Sequence, residues 1–414
     1  MNKDDKIERS GPLSHVRVLD LSRIMAGPWA GQILADLGAD VIKVERPGKG
    51  DDTRGWGPPF LHDINGEQSS NSGYYSCVNR GKKSITVDIS LAEGQKIVRS
   101  LAKNSDIVLE NFKVGVLKKY NIDYEALYKV NPKLIFASIT GFGQSGPRAS
   151  QSAYDFMIQA LGGLMSVTGE SDENPDGGPQ KVGVPIVDLM TGMYTSVAVL
   201  AALARRTETG EGEYIDMAML DVQLAFLANQ MMNYLVSGKA PIRNGNSHPN
   251  IQPQNVYACR DGHIAVAVGN DTQFVWFAKQ LGLADLPNDD RFRTNSARVN
   301  NLESLNQIIL KALAVKDVKT WVAKFEGAGV PCGPINSIPD VINDPQVIHR
   351  NMVRELDHPV LGKVPQVVSP MRFKNANLEF NAPPPTLGEH TKDVLSAAGY
   401  TDEKIAELEA NNVI

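Results

Sequence analysis

The chain has 414 residues, 42% of them apolar and 21% charged, with a formal net charge of −5. That length exceeds one small core and implies two or three domains, and the apolar fraction excludes a disordered chain. The acidic average counts against general nucleic-acid binding, no run of 18 apolar residues offers a membrane span, and the opening MNKDDKIERS lacks the apolar stretch of a targeting peptide.

Residues 16–21 (VRVLDL) form a short apolar run, a strand signal. After a loop over 22–28, Trp29, Ile33, Leu34 and Leu37 recur at helical spacing, and Gly38 stands where a helix ends. Residues 40–44 read as the next strand, which completes a βαβ unit. A Gly- and Pro-rich stretch fills 48–73. Beyond it, 84–87, 106–109 and 134–139 read as strands and 91–101 as a helix. Strands alternating with helices predict a mainly parallel sheet covered on both faces. Residues 189–206 are alanine-rich and helical, TETGEGE is a turn, 214–219 a strand and 222–235 a long apolar helix. From 237 to 253 the composition shifts to Gly, Asn, Pro and Ser. Residues 256–258 and 263–268 flank Asp261-Gly262, a hairpin signal, and helical segments continue to 325. Residues 329–338 are again rich in Pro and Gly. The tail carries PPPTLGEHT and a short helix over 392–398. No repeat of solenoid period is present. The expected class is α/β. A large Rossmann-like domain with a parallel sheet covers 1–220 and 335–414, a linker helix region 221–244, and a smaller α+β domain 245–334.

The first βα loop invites a dinucleotide reading, with Glu45 where a ribose-binding acid would stand. It reads Met25-Ala26-Gly27-Pro28-Trp29-Ala30-Gly31, however, without the G-x-G-x-x-G fingerprint. Gly27 is equally explained by tight packing. Arg46 and Arg54 lie near the carboxyl ends of the strands and suit a phosphorylated ligand. The histidines form no H-x-x-x-H or H-E-x-x-H pair and no G-x-S-x-G elbow is present, so neither a catalytic metal nor a serine nucleophile is expected. Cys77, Cys259 and Cys332 form no disulfide framework or zinc motif, which fits a reduced, cytoplasmic protein; Cys77 and Cys332 read as core residues. Among carboxylates, Asp188 stands out between apolar residues and an apolar helix. It reads as an N-cap bonded to the Thr191 amide, a place compatible with an ionised nucleophile.

Val18-Leu19-Asp20-Leu21-Ser22-Arg23, Ala26-Gly27-Pro28, Leu37 through Glu45, Asn111-Phe112, Gly141 through Pro147 and Asp188-x-x-Thr191-Gly192 resemble, in order, the class III coenzyme A transferases. This is the formyl-CoA transferase and carnitine CoA-transferase family. The resemblance runs from Gly11 to Gly388-Glu389-His390-Thr391. Residues 45–59, 325–336 and 383–387 look most like the branch that contains succinate–hydroxymethylglutarate CoA-transferase, which moves CoA between dicarboxylic acids. The resemblance implies that Asp188 is the nucleophile, that Ile24, Met25 and Ala26 flank the pantetheine, and that Arg46 holds the nucleotide end. It implies further CoA contacts at Val87, Asn111, Phe112 and Lys119. CoA and acyl-CoA are then substrates, with no tightly bound cofactor and no metal, and the partner is a second copy in an interlocked homodimer. Nucleic acid and membrane are not expected partners.

Two departures stand out. Met25 replaces the glutamine of formyl-CoA transferase, which counts against an oxalate-type substrate. The glycine-run loop of that enzyme is replaced by residues 245–251, with Gly245, Asn246 and His248 as loop candidates. The same family contains α-methylacyl-CoA racemases, which pair the aspartate with a histidine. Here Tyr154 takes that place, and a phenol with a pKa of about 10 is a poor proton-exchange partner. A non-catalytic CoA-binding protein is the alternative of another class, and the presence of Asp188 counts against it. For transfer, Asp188 attacks a thioester to give an acyl-aspartyl anhydride and then aspartyl-CoA; amides at the start of the helix after Asp188 are the expected oxyanion donors. Arg23 or Arg148 is expected to clamp the substrate's far carboxylate. The net charge divides unevenly, with the first 150 residues basic and the remainder acidic, which suits an anionic ligand at the N-terminal half.

Overall fold

The computed structural model describes residues 11–414 except 379 and 381; the expectation placed on residues 1–10 lies outside them. By internal contacts the chain forms two units. One holds residues 11–162, 183–228 and 348–414, the other 163–182 and 229–347.

The first unit is built on β1 (Arg17–Asp20), α1 (Ala26–Asp36) and β2 (Asp40–Glu45), the expected βαβ unit. A hairpin of β3 (Phe60–His62) and β4 (Gln68–Ser72) occupies the Gly- and Pro-rich stretch, to which composition assigns no element. Then come β5 (Lys82–Thr86), α2 (Ala92–Lys103), β6 (Ile107–Glu110) and β7 (Ile135–Thr140). They are followed by α3 (Asp155–Leu161), α4 (Ile186–Thr209), β8 (Glu213–Ala218) and α5 (Met219–Phe226). Six strands make one sheet in the order β5-β2-β1-β6-β7-β8, every pair parallel. This is the strand order of doubly wound dinucleotide-binding sheets, in which the direction of winding reverses between β1 and β6 and a crevice opens at their carboxyl ends.

Both faces are covered, so successive residues of the central strands are buried; all four of β6 are. Val18 faces one core with Ala30, Leu34 and Val199, and Leu19 the other with Ile97, Val98 and Leu101. Each such aliphatic side chain contributes about 1.5–3 kcal/mol on burial. The tail closes the sheet's outer edge. Gly388 N–H donates to Ser84 Oγ, His390 N–H to the Ser84 carbonyl, and Ser84 and Thr86 N–H to His390 Nδ1 and Thr391 Oγ1. The edge of β5 thus leaves no open ladder for another chain to pair with.

The apolar run expected to form one helix over 222–235 is two helices, α5 and Ala228–Ser237, because Ala228 takes a left-handed φ of 44°. α4 is 24 residues long and apolar enough to cross a bilayer by length and composition, which residue runs alone did not show. Its buried side, with Thr195 and Val199, packs on α1 and the sheet.

The second unit has an antiparallel sheet of β9 (Gln254–Ala258), β10 (His263–Ala267) and β11 (Cys332–Pro334), with the expected turn closed by Cys259 N–H on the Gly262 carbonyl. Its core gathers Tyr257, Phe274, Phe277, Trp321 and Phe325. Residues 163–182 belong here because Gly245 N–H bonds the Gly169 carbonyl and Arg243 the Glu170 carbonyl.

Candidate active site

The loop that leaves β1 at the winding reversal is held almost atom by atom. Ser22 N–H donates to Asp20 at 3.0 Å and the Ser22 hydroxyl to the same oxygen. The Ser22 carbonyl accepts from Lys43 Nζ at 2.9 Å. Arg23 is bracketed by Asn111 from the end of β6, whose carbonyl oxygen accepts Arg23 N–H at 2.8 Å and whose amide donates to the Arg23 carbonyl at 2.7 Å. Ile24 N–H reaches both oxygens of Asp51 at 3.2 Å. Ile24 has a φ of 73°, a left-handed conformation that a β-branched residue adopts only under constraint. Gly27, in the first turn of α1, stands where a side chain would collide with Ser22; a Cβ there would lie 2.3 Å from the Ser22 Oγ.

Beneath this loop lies a buried ionic network. Lys43 and Asp51 are paired at 2.8 Å with both side chains fully buried. Lys82 bonds Asp20 at 2.8 Å, the Pro28 carbonyl and Asn79. Glu45 receives Arg54 on both oxygens at 2.7 Å. Burial pushes the Asp51 carboxyl up, but the ammonium of Lys43 and the Thr53 bonds outweigh it and hold it below its usual range. Burial takes Lys82 down to about 8 against the pull of Asp20.

Asp188 sits at the third position of α4, not at its cap. Pro185 is the capping residue, and Asp155 at the start of α3 does the capping from outside the segment. Its Oδ1 accepts Val187 N–H at 2.7 Å and Asp188 N–H at 3.3 Å, while Gln159 bonds its other oxygen. Leu189 N–H goes to the Pro185 carbonyl. The amides at the start of α4, expected to receive an oxyanion, are therefore occupied. Burial first, and the Asp155 carboxylate second, push Asp188 up to about 7.

Two cavities run along the carboxyl ends of the strands and share Arg23 and Phe112. The first, of about 330 Å³, is lined by Val44, Arg46, Val87, Ile89 and Tyr120 among others. The second is lined by Ile24, Met25, Ala26, Asn111, Tyr154 and Asp188. The fold thus brings together Arg23, Ile24, Met25, Ala26, Arg46, Val87, Asn111, Phe112, Tyr154 and Asp188 from segments far apart in sequence.

Other candidates fall elsewhere. Arg54 is no phosphate ligand: it is buried, bound to Glu45, Asn71 and the Pro385 carbonyl, and stacked 3.7 Å over Tyr75. Lys119 is exposed, while Val116 and Tyr120 of the same turn line the first cavity. Arg148 lies over the Phe142 ring at 4.5 Å with its Nε on Gln151. Gly245, Asn246 and His248 belong to the second unit, where His248 Nδ1 accepts Asn250 and Ile251 N–H. Cys77 is exposed and so is not a core residue, whereas Cys332 is half-buried and packs against the core of the second unit. Tyr154 lines the second cavity and is 55% exposed. Lys43, Asp51 and Asp155 were missed; the one sequence signal was a lysine among the apolar residues 41–44 of β2. Among the described residues no group of three His, Cys, Asp or Glu could hold a metal ion.

Residues 13–391 match the family model described as CoA-transferase family III. The chain is 48% identical over 392 residues to the succinate–glutarate CoA-transferase of Agrobacterium fabrum, covering 95% of this chain and 97% of that one. It is 41% identical over 404 residues to the succinyl-CoA:glutarate CoA-transferase of Homo sapiens, covering 97% and 90%. Among solved structures, a CAIB/BAIF family protein from Brucella suis superposes with a TM-score of 0.82 at 46% identity, covering 94% of this chain and all of that one.

Proposed function

The chain belongs to CoA-transferase family III, and we propose that it moves coenzyme A from a dicarboxylic acyl-CoA to a free dicarboxylate with Asp188 as nucleophile. The observation that carries the assignment of Asp188 is its place: a carboxylate with no hydrogen-bond donor to its oxygens among the described residues, in the cavity that shares Arg23 and Phe112 with the one lined by Arg46. The relatives named for succinate and glutarate supply the substrate class. Succinyl-CoA is the donor and a five-carbon dicarboxylate the acceptor.

In the proposed reaction the donor's nucleotide end lies in the cavity with Arg46, Val87 and Tyr120, and its thioester reaches Asp188 past Ile24–Ala26. An Asp188 oxygen attacks the thioester carbonyl, the C–S bond breaks, and an acyl-aspartyl anhydride and CoA thiolate form. The thiolate attacks the aspartyl carbonyl and expels the donor acid as its carboxylate. The acceptor carboxylate then attacks aspartyl-CoA to form a new anhydride, and the returning thiolate takes the acyl group and frees Asp188. Charge balances at every step without a proton. A carboxylate suits this exchange because anhydride and thioester lie close in energy, whereas a serine ester would hold the acyl group. The developing oxyanion needs donors other than the occupied amides of α4. Met25 and Ala26, whose amides have no acceptor among the described residues, line the same cavity.

Of the two arginines considered for the far carboxylate, Arg23 is engaged with Asp52 at 2.9 Å. Arg148 has no carboxylate partner among the described residues, and its Nη groups are free to grip one. Arg148→Met is expected to raise KM for dicarboxylates about tenfold or more and to leave KM for a monocarboxylate acceptor unchanged; equal effects on both would reassign the clamp. The deciding experiment is mass spectrometry of protein incubated with succinyl-CoA and glutarate. An adduct on Asp188 with glutaryl-CoA formed supports the proposal. Near-normal turnover by Asp188→Ala, or exchange of an α-proton with solvent deuterium in its place, overturns it.

A further inference from the structure

Lys43 and Asp51 form a buried ion pair at the floor of the first cavity that reaches the second, the one with Asp188, only through the backbone groups it binds, and nothing in the transfer chemistry accounts for it. An ion pair with both side chains fully buried contributes little net stability, because desolvation offsets attraction. The pair is spent on two backbone groups that flank Arg23: Lys43 holds the Ser22 carbonyl, and Asp51 holds Ile24 N–H with both oxygens. Ile24 is the residue at φ 73°, and it opens the Ile24–Met25–Ala26 wall that shares a cavity with Asp188. For a β-branched residue that conformation persists only where its surroundings impose it. Asp51 also accepts the Thr53 amide and hydroxyl, and its own N–H is fixed by Glu45, so the carboxylate is itself immobile.

We propose that Asp51, backed by Lys43, is a positioning residue that locks Ile24 in its left-handed conformation and thereby sets the wall across which the thioester meets Asp188. Asp51 lines the first cavity but not the second, and it acts on the wall beside Asp188 through Ile24. The functional consequence rests on Asp188 being the nucleophile; the conformational one does not.

The first variant is Lys43→Met/Asp51→Leu, which removes both charges and leaves neither partner stranded. Three readouts are taken: the crystal structure, CoA affinity by calorimetry, and steady-state kinetics with succinyl-CoA. The expected result is Ile24 out of the left-handed region, kcat reduced tenfold or more, and CoA affinity changed by less than about threefold. Ile24 retained near φ 73°, or kcat equal to the native enzyme, overturns the proposal. A loss of CoA affinity that matches the loss of kcat also overturns it, since the pair would then serve the nucleotide end. Should the double variant fail to fold, Asp51→Glu keeps Lys43 paired while displacing the carboxylate from Ile24 N–H, and the same outcomes decide. If Asp188→Ala retains turnover while Ile24 still shifts in the double variant, the assignment of Asp188 fails and that of the lock stands.

Discussion

Asp188 and Asp155 are two carboxylates whose surroundings assign them different tasks. Asp155 is committed to the amides of Val187 and Asp188, whereas Asp188 has no donor to steady its charge. Burial, then the nearby charge of Asp155, raises Asp188 to about 7. Only the ionised carboxylate attacks, so kcat/KM is expected to fall as pH drops through about 7. Asp155→Asn keeps an acceptor for the Val187 amide and removes the like charge. The acid limb should therefore move downward, by about one pH unit, without returning to the usual carboxylate range, because burial remains. A limb unmoved in the pH profile of Asp155→Asn would show that burial alone sets it. At this scale the sequence was partly informative. An aspartate among apolar residues was visible at position 188, but its capping partner 33 positions earlier was not. Nothing local to Pro185–Asp188 indicates that an amide there is already taken from another helix.

Elements were most legible where a period and a breaker coincided. β1, α1 and β2 emerged from apolar spacing and Gly38, and the parallel sheet from alternation. The β3–β4 hairpin was not legible, because Gly and Pro mark where a pattern breaks but do not distinguish a short hairpin from an open loop. The α4 start was displaced by three residues, since its first turn is capped from α3. The same helix illustrates a demand that periodicity cannot express. A Cβ on Gly192 would lie 2.6 Å from the Ala26 carbonyl and 2.9 Å from Trp29, so α1 and α4 approach to a distance that only glycine permits. Gly192 is one turn beyond Asp188, and Ala26 belongs to the facing wall of the cavity. Gly192→Val is accordingly expected to force the helices apart, cost about 1–3 kcal/mol, and lower kcat by moving nucleophile and wall relative to one another. Chemical denaturation and kinetics together check this; a variant of native stability and native kcat would show that the crossing yields without effect.

For the whole chain, the basic first 150 residues and the acidic remainder were legible from counting alone, and the cavity with Arg46 lies entirely within the basic part. The division into units was legible less well, because the contacts that draw residues 163–182 to 243–245 join segments far apart in sequence. What counting could not reveal is the surface. Met193, Tyr194 and Val197 on α4, Leu224 on α5 and Phe156, Met157 and Leu161 on α3 are large apolar side chains left exposed on the first unit. Singly they would need no explanation, but three helices of one unit sharing such exposure is the mark of an association surface. The bilayer-like composition of α4 fits this: one side faces α1 and the sheet, and the other leaves Met193 and Val197 exposed. We propose a second copy of this chain as that surface, the homodimer expected from the family resemblance. Sedimentation should give twice the chain mass at micromolar concentration. Val197→Asp should shift the equilibrium toward the monomer, since an unpaired charge placed in an apolar interface costs several kcal/mol. A native protein that sediments as a monomer would leave the patch without this partner. A Val197→Asp variant that stays dimeric would move the interface off α4.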